Sequence, residues 1–376
     1  MQPKTAKIAI VANSTWNIYN FRLNVIKLLI QNNFEVVVIA PVDHYISYLN
    51  QFSEVRHVPL RSLSRKSTNP LKDLSLTREL YQIYCRERPD LVIHYTVKPN
   101  IYGGFAARQC GIKYLSTITG LGYTFLHDSL IRQLTQWLYR MAFRHSEKVI
   151  FENQDDRQLF IEEGIIRPEA GISLKGCGVD IQYFSPNGFV KPPDTLVFTF
   201  IGRLLYDKGI DEFVRAAALV KKDFPEAEFW VVGDIDEENP AAISHDQLLA
   251  WMQSGVIRYF GPTSDVRYYI KQSDCIVLPS YREAIPRVVQ EGMAMRKPII
   301  TTDTPGCREA VEEGKNGFLV PIKDAEGLAA AMRRFRQLSP DQKHTMGRYG
   351  RQKAEREFDD RLISRQIVDI IEAVIA

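Results

Sequence analysis

Short apolar runs alternate with helical patterns along this whole chain, and the series starts over once. In the first half the runs are Lys7–Val11, Val36–Ala40, Val55–Pro59, Leu91–Tyr95, Tyr114–Ile118 and Lys148–Phe151. In the second they are Leu196–Ile201, Glu228–Val232, Val256–Phe260, Cys275–Leu278, Pro298–Thr302 and Phe318–Val320. They are continuously apolar rather than alternating, as a strand must be when helices cover both faces of its sheet. Strand and helix in strict alternation predict parallel sheets with right-handed crossovers. A cluster of Gly, Pro and Asn, from Gly176-Cys177-Gly178 through Ser185-Pro186-Asn187-Gly188 to Pro192-Pro193, separates the two series and reads as a linker and hinge. A chain of 376 residues also exceeds the usual limit of one hydrophobic core. The expected fold class is therefore α/β, with two doubly wound Rossmann-like domains facing across a crevice at the carboxyl ends of their strands, where such folds bind ligands.

Composition removes several classes. The start, Met1-Gln2-Pro3-Lys4-Thr5-Ala6, runs straight into a strand and lacks the apolar stretch of a signal peptide. No segment reaches the roughly 18–20 apolar residues of a membrane span. Cys85, Cys110, Cys177, Cys275 and Cys307 are odd in number and contain no Cys-x-x-Cys pair, against a disulfide framework or a zinc site. The chain reads as cytoplasmic. Its net charge of +3 hides an asymmetry: residues 1–150 carry 19 Lys/Arg against 9 Asp/Glu, and the remainder 29 against 36. A basic first half suits an anionic membrane surface or another polyanion. In that half, Leu130 to Arg144 places apolar residues at helical spacing with Arg132, Arg140, Arg144, Trp137 and Tyr139, a pattern fitting an interfacial helix or a core-packed one.

The residues that carry chemistry cluster after strand ends. Gly202-Arg203 and Lys208-Gly209 flank a strand-to-helix turn. Two cations beside a helix N-terminus suit a diphosphate, although a plain turn with solvent-facing cations has the same sequence. Glu283 follows the run Cys275–Leu278, and Glu291 falls within a helix that Pro286 opens. Alone, two Glu eight positions apart are equally a solvated face. In the first half, Asn13, Trp16 and Tyr19 follow the first strand with the amides and rings that suit a sugar, and Arg65 and Lys66 offer cations to an acceptor diphosphate or to solvent. His94 ends the fourth strand, as a packed residue or a helper, and Lys98 and Thr119 follow the fourth and fifth. The absence of Gly-x-Gly-x-x-Gly argues against a dehydrogenase.

Gly202-Arg203, Lys208-Gly209, Glu283 and Glu291 with seven residues between, Lys297-Pro298-Ile299-Ile300, Thr304-Pro305-Gly306 and Asn316-Gly317-Phe318 occur in the order and spacing of a known family. They resemble the nucleotide-sugar domain of family-4 retaining glycosyltransferases, and Gly178-Val179-Asp180 with Phe184 and Pro186 extends the resemblance to the linker. The resemblance implies the GT-B architecture, with an acceptor domain over 1–185, completed by a C-terminal helix at 360–376, and a nucleotide-sugar domain over 186–359. It further implies that Arg203 and Lys208 hold the donor diphosphate, that Glu291 accepts from the ribose, and that Glu283 sits by the transferred sugar. Gly202, Gly233 and the turn Ala284-Ile285 would line the same pocket. Two departures stand out: Ala284-Ile285 replaces the family's usual Gly-Phe or Gly-Thr, and Arg296 replaces a common Gly before Lys-Pro. A third is Thr119, in the place of a frequent His. The loop Gly233 to Pro240 resembles members using UDP-sugars with lipid-linked acceptors.

The expected function is retaining transfer of a hexose or N-acetylhexosamine from a UDP-sugar to a polyprenyl-diphosphate-linked saccharide in surface-polysaccharide (O-antigen or capsule) biosynthesis. It needs no cofactor and no metal, no nucleic acid, and a peripheral seat on the inner face of the cytoplasmic membrane. A transferase with a soluble acceptor and a non-catalytic two-lobed sugar or nucleotide binder are the alternatives. Membrane flotation separates the first, and UDP release the second.

Overall fold

The computed structural model describes residues 5–64, 69–121, 130–186 and 195–376. Among these, seven parallel strands form one sheet and six another. The first holds β1 (Lys7–Val11), β2 (Glu35–Ala40), β3 (Arg56–Pro59), β4 (Leu91–Tyr95), β5 (Lys113–Ile118), β6 (Lys148–Phe151) and β7 (Gly171–Ser173), in the order 3-2-1-4-5-6-7. The second holds β8 (Val197–Ile201), β9 (Glu228–Val232), β10 (Arg258–Tyr259), β11 (Cys275–Leu278), β12 (Ile299–Thr302) and β13 (Gly317–Val320), in the order 10-9-8-11-12-13. All pairings are parallel, and the strand order of each sheet reverses once, between β1 and β4 and between β8 and β11. Each reversal leaves a crevice at the strands' carboxyl ends. These are two doubly wound Rossmann-like units, and every expected run carries a strand. β7 was not among the expected runs.

The chain divides into one unit of 1–177 with 360–376 and a second of 178–359. The first ends ahead of 185 because the next segment is bound into the second unit. Val179 donates its N–H to Phe358 O at 2.8 Å, and Arg351 reaches the carbonyls of Ile181 (2.9 Å) and Phe184 (3.0 Å). Val179 and Phe184 are buried in the second unit's core. Residues 187–193 of the expected hinge lie outside the described residues. The helix Asp360–Ile375 returns to the first unit, where Ile363, Ile367, Val368 and Ile371 share a core with Val25, Ile26 and Leu29 of the helix Leu23–Gln31. Asn24 there donates to Asp360 at 2.6 Å.

An ion-pair network fastens the second unit's last long helix, Pro340–Glu357. Glu312 accepts from Lys353 (2.9 Å), Tyr349 (2.8 Å) and Lys315 (3.0 Å), and these donors pull its carboxyl down to about 2 from an ordinary 4.5. A depressed folded pKa stabilises above the unfolded value, and that contribution is lost as pH falls through the folded one. Glu312→Gln is therefore expected to lower the melting temperature at neutral pH by about 2–4 °C. It should also flatten the acid dependence between pH 4.5 and 2, as followed by circular dichroism.

Candidate active site

In the second unit, two strand ends are forced together by glycine. Gly233, after β9, has φ +146°, and a Cβ there would collide with the carbonyl oxygen of Gly202 at the end of β8. Gly202 itself has room for a side chain: a Cβ there would meet nothing nearer than the Phe200 ring at 3.8 Å. The turns are then laced by Gly202 N–H to Val232 O (3.0 Å), Leu204 N–H to Asp234 O (2.9 Å) and Tyr206 N–H to Ala241 O (2.8 Å). From this turn Arg203 points into solvent and donates through Nη1 to Asp236 Oδ2 at 2.8 Å.

The loop after β11 supplies the other side. Gly209 has φ +73° and no room for a side chain against the Pro279 carbonyl, so the Tyr206–Lys208 turn and the Pro279–Tyr281 segment touch backbone to backbone. Tyr281 N–H (2.9 Å) and Ser280 Oγ (3.1 Å) both donate to Asp207 O, and Thr302 Oγ1 holds the Ser280 carbonyl from β12. The result brings Lys208 and Glu283, 75 residues apart, into direct contact: Lys208 Nζ donates to Glu283 Oε1, with side chains 22 % and 12 % exposed. The helix Ile210–Asp223 starts at Gly209 and the helix Arg287–Ala294 at Pro286, and neither has a side-chain N-cap. First-turn amides are thus left for water or an anion, although Asp211 and Glu212 in the first turn of the former oppose one.

Ala284 is not among the positive-φ residues, so this turn does not need the glycine that the resemblance led one to expect. The left-handed residue is Gly306 (φ +79°), where a Cβ would meet the carbonyls of Glu283 and Ala284. Ile285 buries its side chain in the core, leaving only its backbone to the site. Arg296 does adopt φ +59°, the conformation for which glycine is the cheaper residue. Glu291 is buried on the helix Arg287–Ala294 and takes a hydrogen bond from Arg287 Nε at 3.0 Å. Burial raises its carboxyl above the usual range against the opposing pull of Arg287, and Asp265 adds to the rise. The sequence reading missed Arg287 and Asp236 as partners; Arg287 was signalled by its i,i+4 spacing to Glu291.

In the first unit, Asp43 organises the segment after β1. It accepts from Thr15 Oγ1, Trp16 N–H (3.1 Å) and Tyr45 N–H (2.8 Å), and these bonds keep its carboxyl low although burial acts to raise it. Trp16 and Tyr19 are exposed on the helix Thr15–Phe21, with Tyr19 5.3 Å from the Tyr45 ring, and Asn13 is half-buried. Lys98 donates to Asp73 at 2.6 Å, and Tyr102 donates to the same carboxylate. Thr119 is half-buried after β5, beside Gly120 at φ +99°. Arg65, Lys66 and the stretch 122–129 lie outside the described residues. His94 is fully buried against Tyr84 Oη (2.9 Å), its pKa pushed down to about 3 by burial, so it is a neutral packing residue. Sequence reasoning also missed Arg22, which is buried over the Tyr95 ring (3.9 Å) and 3.5 Å from buried Glu152. Beside it Thr96 is held at φ +71°, an uncommon conformation for a β-branched residue.

Two parallel doubly wound units with charged, glycine-built turns at the strand ends define a GT-B type enzyme framework. The comparisons agree. Residues 7–153 match the family described as Glycosyl transferase 4-like, and residues 184–353 match Glycosyl transferases group 1. The chain belongs to these glycosyltransferases. It is 28% identical, over 86% of its length and 87% of the relative's, to the N,N'-diacetylbacillosaminyl-diphospho-undecaprenol alpha-1,3-N-acetylgalactosaminyltransferase of Campylobacter jejuni. It is 26% identical, over 70% of each chain, to the UDP-Gal:alpha-D-GlcNAc-diphosphoundecaprenol alpha-1,3-galactosyltransferase of Escherichia coli. Among solved structures, Anabaena HepE in complex with UDP superposes with a TM-score of 0.77 at 20% identity, covering 98% of this chain and 100% of that one.

Proposed function

We propose that the protein transfers a hexose or N-acetylhexosamine from a UDP-sugar to a polyprenyl-diphosphate-linked saccharide, with retention at the anomeric carbon. The observation that carries this is the Lys208–Glu283 contact next to Arg203 and two uncapped helix starts. On leaving, UDP develops negative charge on its terminal phosphate, and fixed cations there stabilise the transition state without a metal. Lys208 and Arg203 take the diphosphate, exchanging Glu283 and Asp236 for phosphate oxygens. Glu283, released, accepts from hydroxyls of the transferred sugar, and Glu291 accepts from the ribose. The acceptor oxygen attacks on the face the phosphate leaves, and a phosphate oxygen takes its proton, so no side-chain base is required. Asn13, Tyr19 and Thr119 are the acceptor-side candidates. Lys98, already held by Asp73, acts there only if that bond is exchanged.

The lipid-linked acceptor is supported by relatives named for diphospho-undecaprenol substrates, and such an acceptor favours a peripheral seat on the inner face of the cytoplasmic membrane. Among the described residues no helix is long and apolar enough to cross a membrane. The test is a UDP-sugar panel with a synthetic undecaprenyl-diphosphate saccharide, followed by NMR of the product's anomeric configuration, with and without EDTA. UDP release with one donor, retention, and rates unchanged by EDTA are expected. An inverted product or EDTA-sensitive transfer would overturn the mechanism, and no release with any donor would overturn the activity.

A further inference from the structure

The helix Leu130–Phe143 faces two ways, with part of each reading the sequence allowed. Tyr139, which only the interfacial reading would put at a surface, is buried with Ala142 and Phe143, its ring stacked 4.9 Å from Phe143. Arg132 and Arg140, which the interfacial reading would aim at an anionic surface, turn to one residue instead. Arg132 Nη2 donates to Glu163 Oε1 at 3.0 Å, Arg140 Nη2 to the Glu163 carbonyl at 2.7 Å, and Gln136 between them donates to Oε2. Residues 132, 136 and 140 are thus consumed in fastening the helix to the turn after Gln154–Glu162.

Apart from Gln133, what remains exposed along the helix is apolar. Leu130 (82 % exposed), Ile131, Leu134, Trp137 (54 %) and Met141 form one stripe at 3–4 residue spacing. Singly exposed apolar residues need no explanation, but a continuous stripe ending in an amphipathic indole does. Just past the helix's end stand exposed Arg144 and His145, and Arg108 is exposed on the helix Gly104–Gln109. After burial, the charges of both arginines disfavour protonation of His145, and among the described residues neither arginine makes an ion pair. An apolar stripe with a Trp and free arginines at its rim is complementary to an anionic bilayer, whose acyl boundary takes the stripe and whose headgroups take the arginines. A second copy of the chain would bring its own arginines to the same rim.

We infer that the stripe Leu130, Leu134, Trp137 and Met141, with Arg108 and Arg144, is the surface by which this protein lies on an anionic lipid bilayer. The inference rests on the lipid-linked acceptor reading, which brings the protein to a membrane. It differs from the sequence expectation in giving the apolar stripe, not Arg132 and Arg140, the contact.

The test is flotation of the full chain with phosphatidylglycerol/phosphatidylethanolamine vesicles and with neutral phosphatidylcholine vesicles. The wild type is expected to float with the anionic vesicles. Leu134→Glu with Trp137→Glu should lower the floated fraction at least tenfold, and Arg108→Gln with Arg144→Gln should reduce it severalfold, toward its value on neutral vesicles. Calorimetric affinity for UDP, bound in the other unit, and the melting curve check that each variant is folded. If the double Glu variant does not fold, Leu130→Ser with Leu134→Ser replaces it. Equal flotation of folded variants and wild type overturns the surface, as does a wild-type dimer in lipid-free solution that the stripe variants break. Flotation as expected from a protein that transfers no sugar to the lipid-linked saccharide leaves the surface standing and sinks the activity reading. Transfer without stripe-dependent flotation does the reverse.

Discussion

Lys208→Met is expected to slow sugar transfer by about 10²–10³-fold in kcat, the usual cost of removing one preorganised group from a developing oxyanion. The reason lies in the geometry around the ammonium. Gly209 and Pro279 meet backbone to backbone, so Lys208 is delivered to Glu283 by two rigid turns rather than by a flexible loop. The variant removes the cation proposed to meet the diphosphate and at the same time leaves the largely enclosed Glu283 carboxylate without its partner, where it would repel the same phosphate. Glu283→Gln alone should cost less, and the double variant little more than Lys208→Met, because the two side chains act as a unit and their effects do not add. Arg203→Ala should act mainly on UDP affinity, by about tenfold, since its guanidinium is half exposed and screened. Initial rates of UDP release and calorimetry with UDP separate the two effects. If Lys208→Met kept near wild-type kcat, the diphosphate assignment would be wrong.

Much of the architecture was legible because burial on both sheet faces leaves a local signature. Runs such as Ile8–Val11 or Ile276–Leu278 must be apolar at every position, and they read as strands without any tertiary knowledge. β7 escaped because Gly171-Ile172-Ser173 is short and holds one apolar residue; it is a strand only through its pairing with β6. The site was partly legible for a different reason. Cations and carboxylates after strand ends are visible residue by residue, whereas their pairing is a tertiary fact. Asp236 and Arg203 are 33 positions apart and meet only because Gly233 lets β8 and β9 end together. Arg132 and Arg140 show the opposite case: helical spacing placed them correctly on one face, but which way that face points depended on Glu163. The Ala284 departure stood out because the family usually has glycine there, and the sequence does not say which residue of a turn carries positive φ. The structure puts that burden on Gly306.

Gly233→Ala is expected to destabilise the second unit by about 3 kcal/mol or more, the range of mutations that force backbone collision rather than lose one contact. Two costs add at this position. A methyl group at φ +146° is conformationally unfavourable, and it would also occupy the space of the Gly202 carbonyl, which has no room to withdraw because Gly202 N–H is bonded to Val232 O at 3.0 Å. Gly255→Ala carries a conformational cost without any collision, and a milder one: φ there is +68°, in the left-handed region, and nothing lies within 4 Å of a new Cβ, so a loss of about 1 kcal/mol is expected. Urea unfolding of both variants measures the difference, and it should be at least twofold. Relief of the collision would part the β8 and β9 turns and carry Arg203 away from Asp236, so UDP affinity should fall in Gly233→Ala and stay unchanged in Gly255→Ala. Equal destabilisation by the two substitutions would mean that close approach of the strand ends is not what this glycine provides, and the account of how the Arg203 turn is built would fail with it.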